Sequence, residues 1–267
     1  NGLAVYGTIT KSAVATGADL VAYSGFSASN YLQQPYNSDL APGTAAYSVS
    51  CWFKTGTSSG DQYIFDRNGG GAGSRNLLLI MNTSAGNANK FQWWHRDASG
   101  NVTEIQIADK TITDNIWHQV VALNDGSNYR VYVDGEVSSI TNNPATSPVR
   151  NVVSDNNPPM FVGIRHTLAS PMLGSMALFR YSLSAPSPEQ IKKMYEDEKV
   201  LFQENAKATL YGSSDAVTAL AYDDATNLLH VGTSGGRSDF QGLRRINNTT
   251  DPVTTAISAH DSLIIEQ

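Results

Sequence analysis

Charge is scarce in this chain. Asp, Glu, Lys and Arg make up 16% of its 267 residues, against about 25% in an ordinary soluble domain. That shortage excludes a coiled coil, which needs abundant Glu, Lys and Leu. The net charge of −6 and the pI of 5.3 exclude the basic field that holds nucleic acid. Cysteine is nearly absent as well. Cys51 stands alone, so no intrachain disulfide is possible and a disulfide scaffold is excluded. No apolar run approaches the roughly 18 residues of a membrane span, so no membrane insertion is expected. The chain has no signal-peptide pattern, and it starts at Asn1 rather than Met, as a fragment or processed product does.

What replaces the missing charge is neutral and polar: 28 Ser, 21 Thr, 21 Asn and 22 Gly. The 12 Tyr, 8 Phe and 4 Trp need burial, which argues against disorder. Hydroxyls, amides and glycines beside aromatics suit strands joined by tight turns. Short alternating segments recur along the chain. Tyr47–Lys54, Tyr63–Asp66, Asn76–Met81, Lys90–Arg96, Val102–Ile107, Trp117–Leu123 and Tyr129–Val133 each read as strands. Turn signals separate them, among them Asn124-Asp-Gly126 and Asp134-Gly135. Tyr47, Val49, Cys51 and Phe53 alternate onto one face, so Cys51 reads as a small buried hydrophobe. With no helices between the strands, the pattern predicts an all-β, antiparallel β-sandwich.

One short helix is expected. Ser187-Pro-Glu-Gln190 has the N-cap Ser, the first-turn Pro and the capping-box Gln of a helix start. The acidic run Glu196-Asp-Glu198 on this helix reads as a solvated face paired with Lys192, Lys193 and Lys199. After about Gln203 the character changes. Val217–Tyr222, Leu228–Thr233 and Leu243–Ile246 form a second, smaller β-unit, read as a three-stranded sheet. The expected organisation is a β connector over 1–24, a sandwich over 25–203, a linker over 204–212 and a small C-terminal β-domain over 213–267. A three-stranded sheet exposes an apolar face and two edges. Leu220, Tyr222, Leu228, Val231 and Leu243 then need a cover, either the sandwich or sister copies.

Four segments resemble the laminin-G-like, or concanavalin A-like, jelly-roll family. They are Tyr47-Ser-Val-Ser-Cys-Trp-Phe-Lys54, Trp117-His-Gln-Val-Val-Ala-Leu123, Tyr129-Arg-Val-Tyr-Val-Asp-Gly135 and Gly174–Ser184 with the helix start after it. The resemblance covers roughly residues 25–203 and implies a jelly roll of two packed antiparallel sheets. The flanks, Asp19–Leu32 and Val217–Ser234, are similar to segments of bacteriophage tail-fibre and appendage proteins, especially marine ones. The second flank also resembles one blade of a β-propeller. The phage resemblance implies a homotrimer, a virion location and an extracellular site of action.

The sequence carries no recognisable catalytic constellation. The Glu-x-Asp-x-x-Glu strand of glycoside hydrolases with this fold is missing, and Thr103–Asp109 lacks paired inward carboxylates. No Gly-x-Ser-x-Gly, His-Glu-x-x-His or Cys-x-x-Cys pattern occurs. His118 and His230 lie in strands and read as structural. The Gly-rich stretch Asn68–Gly73 precedes no helix and reads as a mobile surface loop.

Binding is easier to argue. Sugar rings stack on aromatic faces and are oriented by planar polar groups. Period two along Phe91-Gln-Trp-Trp-His-Arg96 places Phe91, Trp93 and His95 on one face and Gln92, Trp94 and Arg96 on the other. The second set is the more polar and is expected outside. Trp94 then either offers a glycan platform or packs under a loop or a neighbouring chain. Arg165 and His166 are further candidates, because binding residues concentrate at strand ends and loops. In the resembled family a calcium ion often sits at the sandwich rim. Asp66, Asp155 and Asn156 are the candidates to contribute to such a site, though no fixed motif matches, and no other cofactor is expected. The reading as a whole is a non-catalytic adhesin domain that binds host-surface glycans. A structural, trimerising fibre segment and a polysaccharide-degrading enzyme of the same fold are the alternatives.

Overall fold

The computed structural model describes residues 2–68, 73–81, 90–107, 110–142, 149–153, 157–207, 209–212, 216–242 and 244–267, and the counts below refer to these. Asp155 and Asn156, Leu243 and most of the Gly-rich 68–73 stretch lie outside the described residues. The chain divides into two units. The first is Asn1–Ser12 with Ala22–Tyr195, and the second is Ala13–Val21 with Glu196–Gln267.

The first unit is a sandwich of two antiparallel sheets, so the all-β jelly-roll expectation holds. One sheet has eight strands in the order Ala4–Tyr6, Tyr31–Gln34, Met160–Val162, Gln62–Asn68, Arg75–Met81, Lys90–Arg96, Val102–Ile107 and Ile140–Asn142. The other has seven, in the order Glu136–Val137, Tyr129–Val133, His118–Asn124, Tyr47–Lys54, Ser175–Ser182, Val21–Ser24 and Thr10–Ala13. Ala4–Tyr6 pairs with Tyr31–Gln34, so this part of the expected N-terminal connector is built into a sandwich sheet.

Between the sheets lies the core, with Tyr47, Val49, Cys51, Phe53, Phe65, Leu78, Phe91, Trp93, Val120 and Val131 among its buried side chains. Burial pushes the Cys51 thiol strongly up, as its role as a core hydrophobe requires. Tyr47–Lys54 is central, hydrogen-bonded on both sides by His118–Asn124 and Ser175–Ser182. Its second face is buried too. Trp52 stacks on Tyr195 of the helix at 5.6 Å, and Ser48 donates to the Ser184 carbonyl at 2.8 Å.

Turn chemistry sets the hairpins. Asp134 (φ 53°) and Gly135 (φ 80°) supply the two left-handed residues of a tight turn between Val133 and Glu136. Gly135 is also needed for space, because a Cβ there would meet Tyr195 at 3.1 Å. The helix Pro188–Lys199 begins with the expected capping box: Gln190 N donates to Ser187 Oγ at 3.2 Å, and Ser187 N donates to Gln190 Oε1 at 2.8 Å. Lys199 pairs with Glu196, but Glu198 is buried rather than solvated.

The second unit corrects the three-stranded reading. It holds a four-stranded sheet, Val217–Asp223, Leu228–Thr233, Gly236–Gln241 and Arg244–Asn248, and a hairpin of Ile257–His260 with Leu263–Glu266. Gly236-Arg-Ser-Asp-Phe-Gln241 carries a single large apolar residue, so period and hydrophobicity do not reveal it as a strand. Beside Phe240, its buried side chains Arg237, Ser238 and Asp239 are polar, and Arg237 and Asp239 sit inside a charge network.

Candidate functional site

The outer face of the eight-stranded sheet is where the sequence-derived candidates meet. Strand register arranges it in rows. Asp66 stands opposite Leu77, Leu77 opposite Trp94, and Trp94 opposite Glu104. A flanking row runs Tyr63, Leu79, Gln92, and the row on the other side runs Asn68, Arg75, Arg96. Tyr63, Leu77, Leu79 and the part-buried Trp94 pack together in a cluster separate from the core. Phe161 stands opposite Asp66, and the rings of Phe161, Tyr31 and Tyr6 follow at 5.7 and 4.6 Å.

A bulge determines which residues join this face. The register of Gln62–Asn68 shifts between Tyr63 and Phe65, so Ile64 and Phe65 both enter the core. Asp66 is thereby turned outward and Arg67 inward. Strict alternation from Tyr63 would have done the reverse. Arg67 is fully buried and donates to the Val152 carbonyl at 2.7 Å.

Arg165 and His166 arrive on the loop after Met160–Val162. Gly163 N donates to the Ile64 carbonyl at 2.9 Å, and Met172 N to the Gly163 carbonyl at 2.9 Å. Gly163 has φ +78° and a Cβ there would lie 2.3 Å from the Phe26 ring, so only glycine lets the loop fold back this closely. Asp66 Oδ2 accepts from His166 N at 3.0 Å and from His166 Nδ1 at 2.7 Å. His166 Nε2 lies 3.0 Å from Asn68 Nδ2.

Two guanidinium groups border the aromatic rings. Arg75 lies 5.0 Å from the Trp94 ring centroid, and Arg165 lies 5.8 Å from that of Tyr63. Arg96 is directly opposite Arg75 on the neighbouring strand. Asp66 Oδ1, Arg75 Nε and Arg165 Nε are buried and have no hydrogen-bond partner. Gln92 Nε2 donates to Glu104 Oε1 at 2.5 Å. The structure thus places Gln92, Trp94, Arg96, Asp66, Arg165 and His166 on one face. Arg75 and Tyr63 complete it, and sequence reasoning missed both. The run Asn76-Leu-Leu-Leu-Ile80 shows no alternation, so which side of the strand Arg75 occupies was unreadable.

Of the three calcium candidates, only Asp66 lies among the described residues. Its Oδ2 is engaged by His166, and Oδ1 faces the Arg75 guanidinium, with Nε at 3.9 Å. Among the described residues no group of His, Cys, Asp and Glu side chains is disposed to hold a metal. The two carboxylates of the central row, Asp66 and Glu104, are three strand spacings apart, about 14 Å at ~4.8 Å per strand. Glycosidase pairs stand roughly 5–9.5 Å apart.

Two further histidines, His118 and His95, are tied into the fold. His118 Nδ1 contacts Asp134 at 2.7 Å and its Nε2 contacts Asp114 at 3.1 Å. Burial opposes its protonation, but the two carboxylates outweigh burial and raise its pKa. His95 is enclosed in the core, stacked on Tyr129 at 3.6 Å, and burial pushes its pKa well below the usual value. On the outer face of the other sheet, Leu123, Arg130, Tyr132, Pro186 and Lys192 line an open cleft of about 750 Å³.

No curated protein matches the chain. Among solved structures, domain 4 of AbnA, an extracellular arabinanase of Geobacillus stearothermophilus solved with arabinotriose, is similar at a TM-score of 0.53 and 17% identity, over 73% of this chain and 87% of that one. The binding domain of Paraclostridial Mosquitocidal Protein 1 is similar at a TM-score of 0.56 and 12% identity, over 95% of this chain. The receptor binding domain of botulinum neurotoxin C/D mosaic serotype is similar at 0.55 and 14%, over 92% of this chain. This chain spans 62% and 60% of those two toxin domains. At such identities the likeness is one of fold, and it is the fold described above. The sequence itself goes further: residues 26–192 match the profile of the concanavalin A-like lectin/glucanases superfamily, well over half of the chain and nearly the whole sandwich, so the chain belongs to that superfamily.

Proposed function

We propose that this protein is a non-catalytic adhesin domain that binds saccharides on the outer face of its eight-stranded sheet. The observation that carries the reading is the register row Asp66–Leu77–Trp94–Glu104 flanked by Gln92 and the arginines. It sets an indole among planar polar groups, the combination that stacks and orients a sugar ring. The arabinotriose complex of the similar arabinanase domain is in keeping with it. The wide spacing of Asp66 and Glu104 counts against a degrading enzyme. In this reading the domain belongs to a phage tail fibre or appendage, acts outside the host cell as part of the virion, and meets host-surface polysaccharide. Many weak contacts are multiplied there by copy number. A glycan array probed with the wild type and Trp94→Ala tests it. The variant is expected to lose about tenfold or more in apparent affinity, as the loss of a central aromatic contact does. Equal binding by both proteins overturns the site.

A structural role is the second reading, favoured by the second unit. Leu220 (61% exposed), Tyr222 (58%), Leu263 (66%) and Ile265 (59%) stand open there. Sister copies in a homotrimer would cover such side chains. Light scattering at micromolar concentration is expected to give three times the chain mass, and a monodisperse monomer removes the trimer. Among the described residues no helix is long and apolar enough to cross a membrane.

A further inference from the structure

We infer that the sandwich has a second binding site, an apolar pocket between its sheets that takes an amphipathic anion, with the hydrocarbon in the pocket and the anionic head at Lys11. The site is separate from the saccharide face and independent of that reading. The pocket has a volume of about 230 Å³. Leu32 and Val162 line it from the eight-stranded sheet, and Tyr23, Met176 and Leu178 from the seven-stranded sheet. Leu3, just before the edge strand Ala4–Tyr6, lines it too and is 41% exposed. Every lining side chain is apolar or aromatic, and none carries a charge. A cavity of about 150 Å³ accepts benzene, so this volume has room for about nine carbons.

Two features of the wall point to a ligand rather than to a gap in packing. The first is strain. Leu178 has φ +50°, in the left-handed region that a bulky side chain rarely adopts. It sits where the register of Ser175–Ser182 with Tyr47–Lys54 shifts between Ala177 and Arg180. Strain of this kind gathers at ligand sites. The second feature is a cation. Lys11 is exposed on Thr10–Ala13, the last strand of its sheet, and its Nζ lies 5.8 Å from the centre of the Tyr23 ring. Among the described residues no carboxylate pairs with Lys11. A lysine on an edge strand also deters pairing with other chains, but that role needs no contact with a pocket wall. An ammonium group beside an uncharged pocket draws an anionic head to it, while the wall takes the hydrocarbon. A neutral chain of equal length gains nothing from Lys11, and a cationic one is repelled.

The test is calorimetric titration of the full chain with octanoate, octyl sulfate, octanol, octylammonium and butanoate. At least one of the two octyl anions is expected to bind about threefold or more tighter than octanol, with octylammonium weaker than octanol. The carboxylate and sulfate arms tell which head is preferred. Butanoate is expected to bind about tenfold or more weaker than octanoate, because it leaves much of the wall without a partner. Lys11→Gln is expected to bring the anions to the level of octanol and to leave octanol itself unchanged. Leu3→Glu, at an exposed position, is expected to weaken the anions more than octanol. Lys192→Gln, in the cleft on the outer face of the seven-stranded sheet, is expected to change nothing. Equal binding of octanol and both anions overturns the inference. Anion binding that Lys11→Gln leaves intact, or that Lys192→Gln weakens as much, overturns it as attachment elsewhere or diffuse charge attraction. No binding in any arm overturns the site, and the saccharide reading stands untouched by that result.

Discussion

The two units of this chain are held together by different means. The sandwich has two sheets whose inner faces close on one another, with Phe53, Phe65, Phe91 and Trp93 between them. The second unit has less chain and buries fewer large apolar groups, Val231, Phe240 and Val253 among them. In place of apolar area it has a buried charge network. Asp239 Oδ1 accepts from His230 Nδ1 and Arg237 Nε, both at 2.7 Å, and Oδ2 accepts from Asn247 Nδ2 at 3.0 Å. Arg237 Nη1 reaches Glu266 on the terminal hairpin at 2.7 Å. Small domains bury a lower fraction of their surface, and the comparison shows one answer to that shortage. A fully connected polar network specifies one arrangement of strands, but it fails as a whole when one member is lost.

The largest effect that would break this comparison comes from Asp239→Ala. Removing one partner of a buried ionic network costs about 3–5 kcal/mol, because the remaining charges stay buried and unpaired. Calorimetry is expected to show the second unit melting early or not at all as a separate transition, with the sandwich transition in place. A single unshifted transition would contradict the division.

Acid sharpens the same contrast. The folded-state pKa of His95 lies well below its unfolded value of 6.5, because burial penalises the imidazolium. Unfolded chains therefore bind more protons as pH falls below 6.5, and the sandwich loses stability in that window. His118 has the opposite sign: its raised pKa gives stability that is full below 6.5 and lost as pH rises through the folded value. Burial would raise the pKa of Asp239, but its bonds from His230, Arg237 and Asn247 outweigh this and lower it. Its contribution is full above the unfolded 3.8 and is lost as pH falls through the folded value. Denaturation midpoints followed by pH are expected to fall first for the sandwich, and His95→Phe is expected to flatten that fall.

The smallest effect concerns the helix start. Ser187→Ala removes the cap on Gln190 N and is expected to cost about 1 kcal/mol, read as a shift in the sandwich midpoint alone.

Legibility in the sequence followed the same division. Alternation over Tyr47–Lys54 and Lys90–Arg96, the Asp-Gly turns and the capping box all carry their own local signals, and these elements were readable. The strand Gly236–Gln241 was not, because Arg237, Ser238 and Asp239 fill buried positions that a hydrophobic period would give to apolar residues. For the candidate site, Trp94 was readable from period two. Its neighbours across the sheet were not, since register is set between strands distant in sequence. The bulge after Tyr63 turns Asp66 outward and Arg67 inward against the local pattern, and no residue in that segment announces it. Arg75 was hidden by the unbroken apolar run that follows it.

The claim at the centre of this account is that the outer face of the eight-stranded sheet is the binding surface. Mapping amide and indole chemical shifts by NMR during titration with the tightest-binding saccharide tests it most directly. The account predicts the largest changes at the Trp94 indole N–H and at Gln92, Arg96, Arg75 and His166. Changes confined to the cleft of Arg130, Tyr132 and Lys192 on the opposite sheet would contradict it.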